Sequence, residues 1–187
     1  MTNFNIRIEN IVASAALGIE IPLEQIVSKL EGMEYEPEQF PGLVYRMKNP
    51  KAAALIFGSG KIVCTGARSI EDVRVVFKKV VSIIKKAGNK VPKGFKIQVE
   101  NIVASAKLNA KLNLDTIAFS LESSEYEPEQ FPGLVYRMKK PKVAFLLFGS
   151  GKIVCTGARS IEDVHIAVKK VSKILKGIKA LVKEKKS

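Results

Sequence analysis

Alternation near the start of the chain, and later runs separated by turn residues, predict four strands, and apolar residues at helical spacing predict a helix after the first strand and another after the fourth. The strands are predicted at residues 4–17, 43–48, 51–57 and 61–67. Apolar residues spaced as on the buried side of a helix cover residues 22–31, and again the stretch from Ser69 to about Gly88. Ser69 with Asp72 three positions later is typical of a helix start. The order strand, helix, three strands, helix predicts an α+β unit with an antiparallel sheet.

The pattern then occurs a second time, with blocks of identical sequence at an offset of 91 positions. The repeated blocks are ENIVASA at 9–15 and 100–106, EYEPEQFPGLVYRMK at 34–48 and 125–139, and FGSGKIVCTGARSIEDV at 57–73 and 148–164. Such identity indicates duplication of one structural unit. We therefore predict a first repeat at 1–91 and a second at 92–187, which ends in a short basic tail, KEKKS. In the second repeat the short helix is expected to start near Asp115, and the long helix to run from Ser160 to about Val182.

The register of the first hairpin can be predicted from its turn. If the turn centres on Asn49-Pro50, residue 44 lies opposite 55 and residue 42 opposite 57, and the faces alternate along each strand. Two helices can cover only one face of the sheet, so the other face should be polar. It is instead predicted to be apolar, with Val12, Phe40, Val44, Leu55, Phe57 and Val63. A large exposed apolar surface usually binds a partner. The alternative is that two sheets bury these faces against each other in a sandwich.

Charge favours a polyanionic partner for this face. The 187 residues carry a formal net charge of +13, with 31 basic and 18 acidic side chains. Basic residues border the apolar face in matched sets: Arg46, Lys48, Lys61 and Arg68, and then Arg137, Lys139, Lys152 and Arg159. An apolar surface with few polar groups suits the minor groove of A·T-rich DNA, where base edges present only acceptors and no guanine amino group needs a partner.

Other chemistries find little support in the sequence. Cys64 and Cys155 lie in apolar runs and are expected to be buried free thiols. The segment Gly58-Ser59-Gly60-Lys61 lacks the full phosphate-loop pattern, and the single histidine, His165, lacks metal-site spacing. No secretory signal and no apolar run long enough to span a membrane is recognised. No catalytic residues, metal or cofactor are predicted.

Two other classes of function remain as alternatives. A duplicated small-molecule binder or enzyme would need at least one cluster of polar residues that is present in one repeat and not in the other, and none is recognised. A protein that binds membrane surfaces would need an amphipathic helix with exposed apolar residues. The lysines of the long helices could separately form a second binding face, although an ordinary solvated surface explains them as well.

The duplication together with ENIVAS, YEPEQFPGLVYRM and FGSGKIVCTGA in both halves resembles the TATA-box-binding protein family, of the archaeal type. The resemblance covers nearly the whole chain. It implies one curved antiparallel sheet shaped as a saddle, with DNA on the concave face and helices on the convex face. It also implies a general transcription factor without enzymatic activity. This factor would bind the minor groove of TATA-box DNA, kink it and nucleate the preinitiation complex. Kinking by inserted apolar side chains is a behaviour for which this family is itself a standard example.

The resemblance also implies roles for particular residues. The intercalating residues would be Phe40, Phe57, Phe131 and Phe148. The minor-groove contacts would be Asn10, Val12, Leu55, Val63, Thr65, Asn101, Val103, Leu146, Val154 and Thr156. The phosphate contacts would be Arg46, Lys61, Arg68, Arg137, Lys152 and Arg159. Glu127 and Glu129 would form the loop that binds a protein partner.

The implied partners are double-stranded TATA-box DNA, transcription factor B and RNA polymerase, with no membrane partner. A monomer is expected on DNA, and the free protein could dimerise by covering its apolar face. The expected location is the cytoplasm of an archaeal cell, in association with the nucleoid. Because the DNA-facing halves are nearly identical, the direction of binding on a promoter would have to come from a partner.

Overall fold

The structure, a computed structural model, describes residues 4–182. The helices in this range are α1 (Leu23–Lys29), α2 (Ile70–Lys86), α3 (Leu114–Ser120) and α4 (Ile161–Gly177). The strands of the first half are β1 (Arg7–Ala16), β2 (Met33–Glu34), β3 (Gly42–Met47), β4 (Ala52–Phe57) and β5 (Lys61–Ala67). Those of the second half are β6 (Gln98–Lys107), β7 (Lys111–Leu112), β8 (Ser124–Glu125), β9 (Leu134–Met138), β10 (Val143–Leu147), β11 (Lys152–Ala158) and β12 (Leu181–Val182).

The chain forms two compact units, one of residues Asn10–Glu100 and the other of the remaining described residues. The first unit has hydrogen-bonded strands in the order β2-β3-β4-β5-β1, and the second repeats this order as β8-β9-β10-β11-β6. Neighbouring strands within each order are antiparallel. The predicted fold class, α+β with antiparallel sheet built from two repeats, is therefore confirmed.

The first hairpin has the predicted register. Gly42 lies opposite Phe57, and Val44 lies opposite Leu55. One face of these strands is buried, with Leu43, Ala54 and Ile56 at 0% exposure. The turn at Asn49-Pro50 therefore predicted the pairing correctly, because the position of the turn sets the register of a hairpin.

The buried face is covered by the long helix. The predicted stripe of α2, formed by Val73, Val76, Phe77, Val80 and Ile84, is buried throughout, and α2 packs against β4 and β5. Ser69 caps the helix because its Oγ accepts a hydrogen bond from Asp72 N at 3.0 Å, and Ser160 caps α4 in the same way. The lysines beside the stripe also contact the hairpins. Lys79 Nζ donates to Asn49 O, and Lys170 Nζ donates to Lys140 O.

The end of the second long helix differs from the prediction. Helix α4 ends at Gly177 and does not continue to about Val182. Lys179 takes a left-handed backbone conformation with φ 56°, and Ala180 N donates back to Leu175 O. This turn reverses the chain, so that Leu181 pairs with Leu112 in the small sheet β7–β12. The predicted basic tail KEKKS lies outside the described residues.

Short strands also appear outside the predicted elements. Met33 pairs with Tyr45, and Glu34 pairs with Val44, which adds β2 at the edge of the first unit. Strand β8 does the same in the second unit, where Glu125 pairs with Val135. These strands place one carboxylate of each acidic stretch beside the outer strand of its sheet.

Candidate nucleic-acid interface

The face of each sheet that the helices leave uncovered is apolar and accessible. In the first unit Val12, Val44, Leu55 and Val63 are partly exposed, although the residues between them on the same strands are buried. Their equivalents in the second unit have the same intermediate exposure: Val103, Val135, Leu146 and Val154. Side chains in the core of a closed sandwich would be buried, as the residues between these partly exposed positions are. Each unit therefore presents an apolar surface to solvent on the face opposite its helices.

A polar donor lies in this apolar surface, and its orientation is fixed by the backbone. Asn10 Oδ1 accepts a hydrogen bond from Gly66 N at 2.7 Å. Since a backbone N–H can only donate, the amide oxygen must face Gly66, and Nδ2 must be the group that remains to donate. Gly66 has φ 89° and lies where the pairing of β1 with β5 shifts register between Ile11 and Ala13. The irregularity thus turns one backbone N–H toward the asparagine.

The second unit repeats the arrangement. Asn101 Oδ1 accepts from Gly157 N at 2.7 Å, and Gly157 has φ 97°. Asn101 Nδ2 and Thr156 Oγ1 are 3.4 Å apart. Thr65 and Thr156 are both partly exposed on the same faces as their asparagines. Each apolar surface therefore carries an oriented amide donor and a hydroxyl group.

A pair of phenylalanines ends each apolar surface. The rings of Phe40 and Phe57 are 5.7 Å apart between centroids at an interplanar angle of 66°, and those of Phe131 and Phe148 are 5.9 Å apart at 70°. These are edge-to-face geometries. The outer rings are accessible, with Phe40 at 37% and Phe131 at 41% exposure.

A glycine makes room for each pair. A Cβ atom at Gly42 would lie 2.7 Å from Phe40 Cε1 and 3.1 Å from Phe57 Cε1. At Gly133 the corresponding distances to Phe131 and Phe148 are 2.7 and 3.0 Å. Any side chain at these positions would therefore displace the rings.

Two of the four predicted phosphate-contacting arginines, Arg46 and Arg137, are paired with an acid. Arg46 Nε lies 3.5 Å from Glu34 Oε1, and Arg137 Nε lies 3.6 Å from Glu125 Oε1. All four side chains are between 62% and 69% exposed, so these ion pairs are readily exchanged with solvent ions or a ligand. Strands β2 and β8 hold the acids in place, since Glu34 pairs with Val44 and Glu125 with Val135.

The remaining predicted cations are exposed at strand ends. Lys61 and Lys152 begin β5 and β11, and Arg68 and Arg159 follow the ends of these strands. Lys152 lies opposite Lys107 in the pairing of β11 with β6, whereas Lys61 lies opposite Ala16. The second unit therefore has one more positive side chain at this edge.

The acidic loop stands outside the apolar face. Glu127 O accepts from Gln130 N and from Phe131 N, both at 3.0 Å, so the loop is a tight turn that leads directly into the ring pair. The side chains of Glu127 and Glu129 are exposed. Their exposure leaves both carboxylates accessible to another molecule.

The thiols are buried and do not form a reactive site. Burial, with a smaller contribution from the negative charge of Asp72, raises the pKa of Cys64 to about 11. Burial likewise raises the pKa of Cys155 to about 11. Both thiols are free, as expected. Among residues 4–182, no group of three or more His, Cys, Asp or Glu side chains is placed to hold a metal ion, and no helix is long and apolar enough to cross a membrane.

Two features of this surface were not predicted from the sequence. One is the use of Gly66 and Gly157 to orient the asparagines, and the other is the pairing of Glu34 and Glu125 with the arginines. The repeated Thr-Gly dipeptide after each buried cysteine was a visible signal for the first. Nothing in the sequence pattern alone indicates the second, because the two-residue strands that position these acids have no recognisable periodicity.

Comparison with known proteins is consistent with these features. The model of the family described as Transcription factor TFIID (or TATA-binding protein, TBP) matches residues 5–87 and 96–178. The TATA-box-binding protein of Methanothermobacter thermautotrophicus is 57% identical over 170 residues, which are 91% of this chain and 94% of that protein. The TATA-box-binding protein of Archaeoglobus fulgidus is 52% identical over 178 residues, which are 94% and 97% of the two chains.

A solved structure is similar over the same extent. The structure of Methanococcus jannaschii TBP has a TM-score of 0.84 and 52% sequence identity, and the match covers 93% of this chain and 98% of that one. The family model, the relatives and the fold thus agree, and this chain belongs to the TATA-box-binding protein family.

Proposed function

We propose that this protein is a general transcription factor that binds the minor groove of A·T-rich TATA-box DNA. The observation that carries the proposal is the orientation of Asn10 and Asn101, whose Nδ2 groups must donate because Gly66 N and Gly157 N occupy their oxygens. The minor groove of A·T pairs presents only acceptors, adenine N3 and thymine O2. The surrounding valines and leucines have no acceptor for the guanine amino group, so a G·C pair would leave a polar group without a partner.

The proposal includes the kinking of DNA by the phenylalanine pairs. Minor-groove proteins commonly insert apolar side chains between base steps, and this family is a known case. The accessible edges of Phe40 and Phe131, and the glycine space under each ring pair, support an intercalating role for all four rings. The exposed Arg46, Arg137 and their neighbouring cations would contact phosphates on either side of the site.

The proposal also includes assembly with other proteins. Transcription factor B would bind the loop that contains Glu127 and Glu129, and RNA polymerase would follow to form the preinitiation complex. The protein would act as a monomer on DNA in the archaeal cytoplasm, in association with the nucleoid. In the free state two copies could cover each other's apolar faces. The absence of enzymatic activity agrees with the family description, which is that of a transcription factor.

The decisive experiment is a gel shift with three duplexes over a range of salt concentrations. A TATA duplex should bind, and a G·C-substituted duplex should bind at least about tenfold more weakly, because each wrong pair costs roughly 1–3 kcal/mol. Replacing guanine by inosine removes the amino group from the minor groove and should restore binding. With six phosphate contacts, the slope of log K against log salt should be about −5.

The three duplexes separate minor-groove readout from simple attraction to phosphate. A steep salt slope with equal affinity for all three duplexes would show a nonspecific nucleic-acid binder and would refute the proposal. If the inosine duplex bound as weakly as the G·C-substituted duplex, the protein would be reading the major groove. That result would refute the assigned role of Asn10 and Asn101.

A further inference from the structure

The acidic loop has the same sequence in both repeats, so a partner cannot distinguish the repeats by the loop alone. The sequence EYEPEQF occurs at 34–40 and at 125–131. The turn has the same hydrogen bonds in both copies, since Glu36 O accepts from Gln39 N and Phe40 N as Glu127 O does from Gln130 N and Phe131 N. The ion pair with the arginine is also repeated. A protein that binds only one repeat must therefore recognise something beside the loop.

The short helix before the loop is the nearest place at which the two repeats differ in exposed side chains. Phe119 in α3 is 95% exposed, which is far more than any other large apolar side chain described. The equivalent residue in α1 is Ser28, whose Oγ donates to Gln25 O at 3.0 Å. The next position also differs, because Ser120 replaces Lys29, whose Nζ lies 3.3 Å from Ala87 O. The second repeat thus gains an exposed aromatic ring and loses a positive charge.

Local contacts join this ring to the acidic stretch. Ser124 Oγ donates to Leu121 O at 2.5 Å and contacts Ala118 O at 3.5 Å, so the chain after α3 folds back on the last turn of the helix. Helix α3 packs against β8, which contains Glu125. Residues 115–129 contain five acidic side chains and no Lys, Arg or His. Phe119 is therefore an exposed ring in a segment whose charged side chains are all acidic.

We propose that Phe119 is the anchor by which an orienting protein partner selects the second repeat. The partner surface would have an apolar pocket for the ring, bordered by lysines or arginines that face the acidic loop. Aromatic residues that insert into a partner pocket are typical centres of binding energy, while charged residues around them contribute mainly to specificity and association rate. This inference rests on the proposed function, which names transcription factor B as the partner.

The test measures binding of transcription factor B to the complex of each variant with a TATA duplex. Phe119→Ser should weaken this binding by roughly tenfold or more, as truncation of an interface anchor does. Its affinity for the TATA duplex alone should stay within about twofold of wild type, because Phe119 is not on the apolar face. Ile166→Ser, at a residue on α4 that is 39% exposed, is the control for loss of exposed apolar area and should leave both affinities unchanged.

The reciprocal variant tests selection between the repeats. In the Phe119→Ser background, Ser28→Phe with Lys29→Ser gives the first repeat the features of the second and should recover binding of transcription factor B. Full binding by Phe119→Ser, or no recovery in the reciprocal variant, would overturn this inference while leaving DNA binding untouched. If wild-type protein on the TATA duplex bound no transcription factor B, the proposed partnership and this inference would both be wrong.

Discussion

At the scale of single residues, the central feature of the candidate interface is the fixed direction of two amide groups. An asparagine on an exposed sheet face could present its oxygen or its nitrogen, and the sequence does not decide between them. The backbone N–H groups of Gly66 and Gly157 fix the orientation, because each nitrogen lies 2.7 Å from an asparagine Oδ1 and donates to it. The sequence predicts that Asn10 and Asn101 face the ligand, but nothing in it indicates which end of each amide does so.

The phenylalanine pairs give the first prediction at this scale. Phe57→Ala with Phe148→Ala should reduce DNA bending, and should weaken TATA binding by roughly tenfold or more, as loss of an interface anchor does. Folding should persist because the rings are only partly buried. Bending can be measured by energy transfer between dyes at the duplex ends, with thermal unfolding as the check on folding. Unchanged energy transfer would show that these rings do not act as wedges.

The arginine–glutamate pairs give the second prediction. Glu34→Gln with Glu125→Gln should strengthen DNA binding several-fold and steepen the salt slope by up to about 2, since two carboxylates near the phosphates are removed. Stability should change by less than about 1 kcal/mol, because both ion pairs are exposed.

The control for this prediction is Glu71→Gln. Glu71 pairs with Arg74 on α2 at 3.4 Å, so the substitution removes one negative charge on the helix side of the unit. If Glu71→Gln raised the affinity for DNA as much per charge removed as Glu34→Gln with Glu125→Gln does, net charge alone would explain the effect.

At the scale of elements, long periodic segments were predicted well and short ones were not. The stripe of α2 follows from apolar spacing, the register of β3 with β4 follows from the position of the turn, and both are confirmed. Strands β2, β8, β7 and β12 have two residues each, too few to show any alternation. Their pairing depends on neighbours that tertiary structure brings near. The early end of α4 likewise depends on the left-handed conformation of Lys179, a residue type that rarely signals such a turn.

The helix caps give a prediction at this scale. Ser69→Ala removes the acceptor for Asp72 N and should lower the free energy of unfolding by about 1 kcal/mol. The same loss is expected for Ser160→Ala, whose Oγ accepts from Asp163 N at 3.0 Å. Denaturant unfolding would measure both.

The contrast for the caps is Ser59→Ala. Ser59 is an exposed residue in the turn between β4 and β5 and should be neutral. If Ser59→Ala lowered the free energy of unfolding as much as Ser69→Ala does, the effect of the serines would not come from helix capping.

At the scale of the whole molecule, a chain with net charge +13 presents repeated apolar faces and repeated acidic loops. The positive charge favours approach to DNA, and it would hinder other basic proteins. The acidic loops are the places where a basic protein could still bind. Glu127→Lys with Glu129→Lys should therefore impair recruitment of transcription factor B to the DNA complex, while binding to the TATA duplex is retained.

The first repeat supplies the matched variant for this prediction. Glu36→Lys with Glu38→Lys reverses the same charges in the identical loop and should leave recruitment intact. Recruitment can be followed as a supershift in native gels. An equal loss of recruitment in both variants would mean that the partner does not distinguish the repeats. Equal recruitment by the wild type and both variants would mean that the acidic loop does not take part in the interaction.

The identity of the repeated blocks also has a statistical consequence. If the two halves of the DNA-facing surface are equivalent, an A·T-rich site can be occupied in two orientations of equal energy. The bound state then has twice as many microstates, which contributes RT ln 2, about 0.4 kcal/mol, to affinity. A partner that enforces one orientation must remove this entropy as well as bind. The near-identity of the repeated blocks therefore adds slightly to affinity and leaves the direction of binding to be set by a protein partner that binds afterwards.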